Sequence, residues 1–162
     1  MKKWYWFALS ILVIVLDQVT KYSALYFLMP YQPDVLLPML NLTLAYNTGA
    51  AFSFLSGTGD WHRWLFTGFS SVMSVILVFW LVRTPLVARL QVSALSLILA
   101  GALGNLMDRL RLGYVIDFID VHYNHYHWPV FNVADSAICL GALMLFIDLC
   151  LQGRRDLQAK KI

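Results

Sequence analysis

Residues 90–107 read LQVSALSLILAGALGNLM, an apolar stretch that contains no charge and only Gln91 and Asn105 as strongly polar residues. A helix needs about 20 mostly apolar residues to cross the core of a lipid bilayer. Three other stretches are also mostly apolar, namely residues 4–29, 64–82 and 133–151, although the first contains Asp17 and Lys21 and the last contains Asp135 and Asp148. The composition agrees, because 60% of the 162 residues are hydrophobic and 13% are charged, against about 25% charged residues in soluble domains. We therefore predict an all-α membrane protein with four transmembrane helices in one membrane-embedded domain over residues 1–162.

The first apolar stretch also has features of a cleavable signal peptide, because Met1, Lys2 and Lys3 precede it. Asp17 and Lys21, however, fall where a cleavage region would lie, and no Ala-x-Ala motif follows them. The apolar residues then resume. We therefore interpret this stretch as a helix that stays in the membrane.

Basic residues flank the four stretches unevenly, and short loops on the cytoplasmic side of a membrane carry the excess of lysine and arginine. One side holds eight of the twelve basic residues: Lys2, Lys3, Arg83, Arg89, Arg154, Arg155, Lys160 and Lys161. The opposite side holds Arg63, Arg109 and Arg111, and the twelfth basic residue, Lys21, lies within the first stretch. We therefore predict that both termini are cytoplasmic and that residues 30–63 and 108–132 face the periplasm or the outer surface.

The two outward-facing segments carry patterns of secondary structure. Residues 40–54, LNLTLAYNTGAAFSF, mix alternating apolar residues with Thr, Tyr and Phe around Asn47-Thr48-Gly49, which predicts short strands on either side of a turn. Residues 110–128 are rich in Tyr, His and Ile and suit a short helix or strand at the lipid interface. We therefore expect a small periplasmic β-rich segment beside the helices, with a periplasmic interfacial helix or loop.

Two ionisable residues interrupt the first stretch. Asp17 and Lys21 are four positions apart, which places them on one helix face with the acid ahead of the base, the favourable order for an ion pair. Charged side chains at membrane depth are costly and usually pair with one another. Such a pair either fixes helix packing or supports a nearby active site, and the spacing leaves both interpretations open.

A polar group ends the third stretch. Asn105, Asp108 and Arg109 lie three and four positions apart and therefore share a helix face. Asp108 followed by Arg109 would alone be an ordinary helix end. The addition of Asn105, one turn earlier, indicates an inward-facing network of hydrogen bonds.

Two acids in the outer part of the chain are candidates for chemistry. Asp117 lies within YVIDFID, residues 114–120, and Asp135 lies where the fourth helix begins. Two carboxyl groups held close together share a proton, so that one can act as a base on water while the other polarises a carbonyl group, and peptide hydrolysis then needs no metal. The alternative is a helix N-terminal charge at Asp135 and solvated loop acids at Asp117 and Asp120. Sequence spacing does not decide between them.

Histidine and cysteine residues raise the question of a metal site. His122, His125 and His127 are flanked by Tyr and Trp, as in the aromatic belts at membrane interfaces, and no HExxH or paired ligand motif occurs. Cys139 and Cys150 would lie about 16 Å apart along a helix, too far for a disulfide. We predict no metal and no cofactor, and we interpret the cysteines as small apolar core residues.

Five short polar motifs are spread along this frame of four apolar stretches. They are Asp17-Gln18-x-x-Lys21, Asn47-x-Gly49-x-Ala51-Phe52, Gly101-x-x-Gly104-Asn105-x-x-Asp108-Arg109, Val115-x-Asp117-Phe118 and Phe131-Asn132-x-Ala134-Asp135. In these motifs and in their order the chain resembles the lipoprotein signal peptidases, the type II signal peptidases of bacteria, over essentially its whole length. Each motif is short, but five in order make the resemblance specific.

The resemblance implies a function and a set of site residues. It implies an intramembrane aspartyl endopeptidase in which Asp117 and Asp135 are catalytic. Substrate-binding or supporting roles are implied for Asp17, Lys21, Asn47, Gly49, Asn105, Asp108, Arg109, Asn132 and Ala134. Members of this family remove the signal peptide from prolipoproteins N-terminal to a cysteine that carries diacylglycerol, and globomycin inhibits them. The expected partners are therefore prolipoproteins with a lipidated cysteine, membrane lipids and globomycin-type inhibitors, with no nucleic acid; the expected location is the bacterial inner membrane.

Two other classes of function fit parts of the sequence. A small proton- or ion-coupled transporter would also need charged residues inside the membrane, but the acids here cluster at one interface, and inverted repeats are not evident. A non-catalytic membrane protein that binds lipid or peptide would use the same residues for affinity alone. Substitution of the acids distinguishes these classes, because only a peptidase loses a cleavage product.

Overall fold

The computed structural model describes residues 4–49 and 61–159, and four long helices account for most of them. The helices are α1 (Trp4–Phe27), α2 (Trp61–Arg83), α3 (Arg89–Arg111) and α4 (Val133–Ala159). Each contains a stretch long and apolar enough to cross a membrane, as the sequence predicts. The ends of the helices differ from the prediction. The difference that matters for the site is in α3, which continues beyond residue 107 and therefore includes Asp108 and Arg109.

Helix α3 is at the centre of the bundle. It packs against each of the other three helices, and 56% of its most apolar stretch is buried, against 17–22% in the others. Its buried side chains Val92, Leu95 and Leu99 form a cluster with Leu77 and Leu81 of α2. The other helices expose large apolar side chains on their outer surfaces, as expected of helices that lipid covers.

Small residues allow α3 and α4 to approach closely. A Cβ atom on Gly101 of α3 would lie 2.2 Å from the carbonyl oxygen of Ala134, and one on Gly141 of α4 would lie 2.6 Å from that of Ala94. On α3, Ala94 and Gly101 are seven residues apart, and on α4, Ala134 and Gly141 are also seven residues apart. This spacing is about two helical turns, so the antiparallel helices meet along one continuous face. This contact positions the first turn of α4, where Asp135 lies.

The interpretation of the two cysteines as core residues is wrong. Cys139 and Cys150 are free thiols, and both are exposed on α4. The physical reason is that a membrane helix is apolar on its lipid-facing side as well as on its buried side, so an apolar neighbourhood in the sequence does not indicate burial.

A four-stranded antiparallel sheet lies at one end of the helices. In the described part of the chain its strands are β1 (Pro33–Leu37), β2 (Leu40–Asn47), β3 (Val115–Tyr123) and β4 (Tyr126–His127), in the order β1-β2-β3-β4. The central pair joins two segments that are distant in the chain, since Ala45 lies opposite Asp117 and Asn47 lies opposite Val115. An apolar cluster that includes Ala24 fixes the sheet to the end of α1.

The turns of this β-rich segment differ in part from the prediction. Strands β1 and β2 are joined at residues 38–39, a hairpin that the sequence pattern does not predict. A turn does follow β2, where the side-chain oxygen of Asn47 accepts a hydrogen bond from the Gly49 N–H at 2.9 Å. The strand predicted beyond that turn falls in residues 50–60, outside the described residues. Of the helix or strand predicted within residues 110–128, the strand is confirmed: these residues complete α3 and then form β3 and β4, and no interfacial helix occurs there.

Substitution of Gly101 by alanine should destabilise the protein, because its Cβ atom would meet the backbone of α4. An extra methyl group in a well-packed interface typically costs about 1–3 kcal/mol. Gly68 on α2 is the matched control, since a Cβ atom there has nothing within 4 Å, and alanine is the better helix former. Thermal unfolding in detergent should show a lower midpoint for Gly101→Ala and no decrease for Gly68→Ala. An unchanged midpoint for Gly101→Ala would contradict the close packing of α3 and α4.

Candidate active site

Asp117 lies within β3 and is only 2% exposed. Its neighbours Ile116 and Phe118 belong to the apolar cluster that joins the sheet to α1. The Oδ2 atom of Asp117 accepts a hydrogen bond from the side-chain amide of Asn47 at 2.9 Å, and Oδ1 accepts one from the side-chain amide of Asn132 at 2.7 Å. The strand and the two amides therefore hold this carboxyl group in a fixed orientation.

Asp135 lies in the first turn of α4, which Asn132 caps. The side-chain oxygen of Asn132 accepts a hydrogen bond from the Asp135 N–H at 2.9 Å, and Asp135 Oδ2 accepts one from the Asn132 N–H at 3.3 Å. This reciprocal pair is a capping box. The other oxygen, Oδ1, accepts a hydrogen bond from the side-chain amide of Asn105 at 2.8 Å. The carboxylate is thus held by groups of both α3 and α4, at the positive end of a helix dipole.

Asn132 brings the two acids into one site, although they are 18 residues apart in the chain. Its side-chain amide binds Asp117, and its backbone N–H binds Asp135. The path of the chain explains the contact, because the segment after β3 returns so that Phe131 pairs with Ile119 through hydrogen bonds of 2.8 and 3.1 Å. Helix α4 therefore begins beside β3. The alternative of a solvated loop acid at Asp117 is wrong, since that residue is buried in a strand.

The surroundings of Asp117 favour its protonated form. Burial, followed by the negative charge of Asp135, raises the pKa of the Asp117 carboxyl group from 3.8 to about 7. The hydrogen bonds from Asn47 and Asn132 and the positive charge of Lys21 lower this pKa but are outweighed. Near neutral pH the group is therefore protonated in a large fraction of molecules, as expected for one member of a carboxyl pair.

A buried ion cluster adjoins the two acids. The Lys21 ammonium group contacts Asp17 Oδ2 at 2.9 Å and Asp108 Oδ2 at 2.8 Å. It also donates a hydrogen bond to Asn105 Oδ1 at 2.8 Å. All three charged side chains are at most 3% exposed. Because Asn105 in turn donates to Asp135, this cluster both joins α1 to α3 and contacts the acid pair through one amide, and the two interpretations of Asp17 and Lys21 are compatible.

The acids of this cluster also bind the other elements of the site. Asp17 Oδ1 accepts a hydrogen bond from the Ala134 N–H at 2.9 Å, which satisfies one of the free amides at the start of α4. Asp108 Oδ2 accepts one from the Ile116 N–H at 3.3 Å. Gln18 donates to Asp108 Oδ1 at 3.0 Å and to Asp17 Oδ2 at 3.2 Å. The cluster therefore connects α1 and α3 to both α4 and β3.

Arg109 lies at the end of α3 between the turn after β2 and the acid pair. Its guanidinium group donates a hydrogen bond to the carbonyl oxygen of Gly49 at 3.0 Å and lies 5.7 Å from the centre of the Phe66 ring. Its charge interacts with those of Asp135 and Asp117. The side chain is only 8% exposed, so its orientation is determined by these contacts.

A cleft of about 360 Å³ opens between α2, α3 and α4 next to Asp135. Its walls are formed by Phe66, Phe69, Ser70, Met73, Leu77, Ile98, Ala102 and Ile138, and its polar end by Asn105, Arg109 and Asp135. Apolar walls with a few converging polar groups are typical of ligand sites. Because these walls belong to helices long enough to span a membrane, the cleft suits an apolar ligand or substrate.

Asp120 and the histidines form a separate cluster on the sheet. Asp120 is buried, accepts hydrogen bonds from Asn41 and Thr43, and contacts His127 Nδ1 at 2.7 Å. Burial raises the pKa of Asp120, but these hydrogen bonds together lower it by more, so its pKa lies below the ordinary value. His122 stacks on His127 with ring centres 5.0 Å apart. Asp120 is therefore not a solvated loop acid, and among residues 4–49 and 61–159 no three His, Cys, Asp or Glu side chains are grouped to hold a metal ion.

All eleven residues that the sequence predicts for the site belong to one connected network of hydrogen bonds and ion pairs. Their catalytic and supporting roles stay predictions. Two further contributors are not predicted. Gln18 lies inside the motif Asp17-Gln18-x-x-Lys21, and its place in that motif is the sequence feature that could have indicated a role in the site. Arg63, which donates to the carbonyl oxygen of Arg109, lies in no motif.

The fold and the site define a class of protein: a multi-pass membrane protein with two adjacent carboxyl groups beside an apolar cleft, as expected of an aspartic-type membrane peptidase. The family model of signal peptidase (SPase) II matches residues 9–151. The lipoprotein signal peptidase of Acinetobacter baylyi is 48% identical over 157 residues, 97% of this chain and 88% of that protein. The lipoprotein signal peptidase of Coxiella burnetii is 50% identical over 150 residues, 93% of this chain and 92% of that protein.

Two solved structures of bacterial membrane enzymes share this fold. A bacterial membrane enzyme determined at 2.3 Å resolution matches with a TM-score of 0.81 and 32% identity, covering 92% of this chain and 89% of its own. A second, determined at 1.9 Å, matches with a TM-score of 0.76 and 33% identity, covering 90% of this chain and 92% of its own. The chain therefore belongs to the signal peptidase II family, and it is a membrane protease of the aspartic type.

Replacement of Lys21 by methionine should destabilise the protein strongly, because it leaves Asp17 and Asp108 buried without their counter-charge. Removal of one partner of a buried ion pair typically costs about 3–5 kcal/mol. Arg111→Met is the control, since Arg111 is exposed at the end of α3 and hydrogen-bonds Tyr22. Unfolding in detergent should show a large loss of stability for Lys21→Met and a small one for Arg111→Met. Adding Asp17→Asn to Lys21→Met should recover part of the loss, whereas a Lys21→Met protein as stable as the parent would contradict the role of the cluster.

Proposed function

We propose that this protein removes the signal peptide from prolipoproteins by cutting the bond N-terminal to a diacylglyceryl-modified cysteine, with Asp117 and Asp135 as the catalytic pair. The observation that carries the proposal is the position of Asn132, which hydrogen-bonds both carboxyl groups beside an apolar cleft. The relatives are named lipoprotein signal peptidases, and their names support this class of substrate.

The two carboxyl groups differ in their surroundings, and the difference supports a division of roles. Asp117 is buried, and its pKa is raised to about 7. Asp135 lines the cleft and accepts an amide hydrogen bond from Asn105. It also lies near the positive charges of Lys21 and Arg109. We therefore assign the shared proton of the resting pair to Asp117 and the negative charge to Asp135.

These protonation states suffice for hydrolysis of the peptide bond. Asp135 takes a proton from a water molecule as the water oxygen attacks the scissile carbonyl carbon, while Asp117 donates its proton to the carbonyl oxygen. The tetrahedral intermediate then collapses: Asp135 passes its proton to the leaving nitrogen, the carbon–nitrogen bond breaks, and Asp117 recovers a proton from a hydroxyl group. The products are the signal peptide with a new carboxyl group and a lipoprotein that begins with the lipidated cysteine.

The cleft supports a substrate that lies in the membrane. Its apolar walls can hold the acyl chains of the modified cysteine or the apolar end of the signal peptide, with burial of apolar surface as the driving force. Asn105 and Arg109, at its polar end, are placed to hydrogen-bond the peptide near the scissile bond. Membrane lipids and globomycin-type inhibitors would occupy the same cleft and compete with the substrate.

The proposed location is the bacterial inner membrane, with both termini in the cytoplasm and the site at the periplasmic side. Arg83 and Arg89, at the connection between α2 and α3, support this orientation, because cytoplasmic loops carry the excess of basic residues. The sheet and the acid pair lie at the other end of these helices. A precursor that has crossed the membrane would present its lipidated cysteine at that interface.

Ion transport is the alternative from a different class, and the arrangement of the acids argues against it. A transporter needs ionisable groups along a path across the membrane. Asp17, Asp108 and Asp135 instead meet at one end of the bundle. Asp148, further along α4, forms an exposed hydrogen bond with Gln152. Membership of a protease family also favours hydrolysis.

Asp117→Asn and Asp135→Asn should each abolish cleavage, since asparagine can neither take up nor donate the proton that the reaction moves. We expect kcat to fall at least about 1,000-fold for each. Asp34→Asn is the matched control, because Asp34 is exposed on β1. The measurement is cleavage of a synthetic diacylated peptide that contains the cysteine and the apolar residues before it, with mass spectrometry of the products.

Two controls are needed. The first separates loss of catalysis from loss of folding, and the second separates acid–base hydrolysis from metal chemistry. Each variant must unfold at a temperature close to that of the parent, so that a lower rate is not a consequence of unfolding. Globomycin should stop the parent enzyme, and a metal chelator should leave its rate unchanged. Near-parent turnover by a folded Asp117→Asn or Asp135→Asn protein would refute the catalytic pair, and inhibition by the chelator would point to metal chemistry.

The cleavage rate should fall as the pH rises above about 7, the pKa of the Asp117 carboxyl group. A raised carboxyl pKa means that the proton is retained below this pH and lost above it, so the active, singly protonated pair is depleted about tenfold per pH unit on the alkaline side. Single-turnover rates with a substrate peptide that has no titrating group in this range measure the effect. A rate that stays constant up to about pH 9 would contradict the assignment.

A further inference from the structure

Arg63, in the first turn of α2, reaches across to the end of α3. Its Nε atom donates a hydrogen bond to the carbonyl oxygen of Arg109 at 3.2 Å, and Nη2 donates one to that of Leu110 at 3.4 Å. The last four carbonyl groups of a helix have no partner within the helix. Arg63 therefore caps α3 from a neighbouring helix and places a positive charge at the negative end of its dipole.

The chain after α3 is shaped to allow this contact. Gly113 has φ of +89°, and its N–H donates to the Arg109 carbonyl oxygen at 3.1 Å, the common ending in which a left-handed glycine closes a helix. A Cβ atom on Gly113 would lie 3.2 Å from Arg63 Nη1. The Arg109 carbonyl oxygen thus accepts hydrogen bonds from both Gly113 and Arg63. Glycine suits position 113 because it adopts a positive φ easily and because its lack of a Cβ atom leaves room for the Arg63 guanidinium group.

The residue held in this way is the one that carries a positive charge next to the acid pair. The guanidinium group of Arg109 binds the Gly49 carbonyl oxygen and faces the Phe66 ring. Phe66 follows Arg63 by about one turn of α2, so this helix contacts both the backbone and the side chain of Arg109. Any movement of the end of α3 away from α2 would move the guanidinium group relative to Asp135 by a similar amount.

We propose that Arg63 is a positioning residue for peptide-bond hydrolysis: it fixes the end of α3 and thereby holds Arg109 beside the catalytic pair and the cleft. The inference rests on the proposed function, since it gives Arg109 its place at the polar end of the substrate cleft. Arg63 hydrogen-bonds neither acid, and its contribution passes through the backbone carbonyl groups of Arg109 and Leu110.

Arg63→Ala should lower kcat for the diacylated peptide by roughly ten- to a hundredfold, the range that a displacement of about 1 Å in a positioned group produces. KM should change by less than about threefold, because the apolar walls that provide binding are untouched. Arg63→Lys should recover part of the rate. Lysine keeps the positive charge and one donor nitrogen, but it lacks the second nitrogen with which arginine reaches a second carbonyl group. Arg111→Ala is the matched control, an exposed arginine at the same end of α3 whose partner is the Tyr22 side chain.

The pH–rate profile distinguishes positioning from a general loss of stability. In the proposed mechanism Asp135 must be ionised, so its protonation sets an acidic limb of the profile. In Arg63→Ala the Arg109 guanidinium group is no longer held as close to the Asp135 carboxylate, so this limb should move to higher pH, while Arg111→Ala should keep the parent profile. A protein that is merely less stable would show a lower melting temperature with an unchanged profile. The inference is overturned if Arg63→Ala keeps the parent kcat, if its profile is unchanged while its melting temperature falls, or if Arg111→Ala reproduces its effects.

Hydrogen–deuterium exchange separates failure of this inference from failure of the proposed function. Arg63→Ala should speed exchange of the amides of Leu112 and Gly113, which bond to the last turn of α3, and Arg111→Ala should not. If the parent enzyme leaves the diacylated peptide intact, the proposed substrate is wrong, whatever the exchange result. If the parent cleaves the peptide and exchange at these amides is the same in Arg63→Ala, then Arg63 does not hold the end of α3.

Discussion

A buried ammonium group needs negative charges in contact with it, and the buried Lys21 therefore requires acids from its own and neighbouring helices. Two carboxylates, Asp17 and Asp108, contact it, so the three charges leave one negative charge in excess. The positive charge of Arg109 interacts most strongly with Asp135, then with Asp117 and least with Asp108. In the proposed resting state Asp117 and Asp135 share one proton, so the two positive charges of Lys21 and Arg109 face three negative charges. The buried site as a whole then carries one net negative charge.

Uncharged amides connect this cluster to the acids and determine their orientation. Lysine can only donate hydrogen bonds, so the Asn105 atom that faces Lys21 must be its oxygen, and its amide nitrogen must then face Asp135. Asn132 is fixed in the same way, because its oxygen accepts the backbone N–H of Asp135 and its nitrogen therefore faces Asp117. The amides transmit the position of one buried charge to both carboxyl groups without adding further charge, which a basic residue in their place would do.

The sequence predicts those parts of this arrangement that depend on local spacing. Helices follow from the length of apolar stretches, and the contact between Asp17 and Lys21 follows from their separation of one turn. The contact between the sites of Asp117 and Asp135 does not follow from local spacing. It depends on the return of the chain to β3 and on which strands pair. The alternation of apolar and polar residues in a strand indicates neither. Only the family resemblance joined these acids. Burial at Cys139 was predicted wrongly for a related reason: in a membrane, hydrophobicity does not separate the inside of the bundle from the outside.

The two acids lie where two regular elements meet, so their geometry is a consequence of folding. Asp117 lies on an internal strand of the sheet, whereas Asp135 is the third residue of a helix that Asn132 caps. With Asn132 as the cap of α4, the Asp135 carboxylate accepts a hydrogen bond from the Asn132 N–H at 3.3 Å. The strand is joined to this start by the pairing of Phe131 with Ile119. Groups on strands and helices are held more precisely than groups on loops, so two carboxyl groups that are proposed to act on one peptide bond are better placed at such a junction than on the connections between helices.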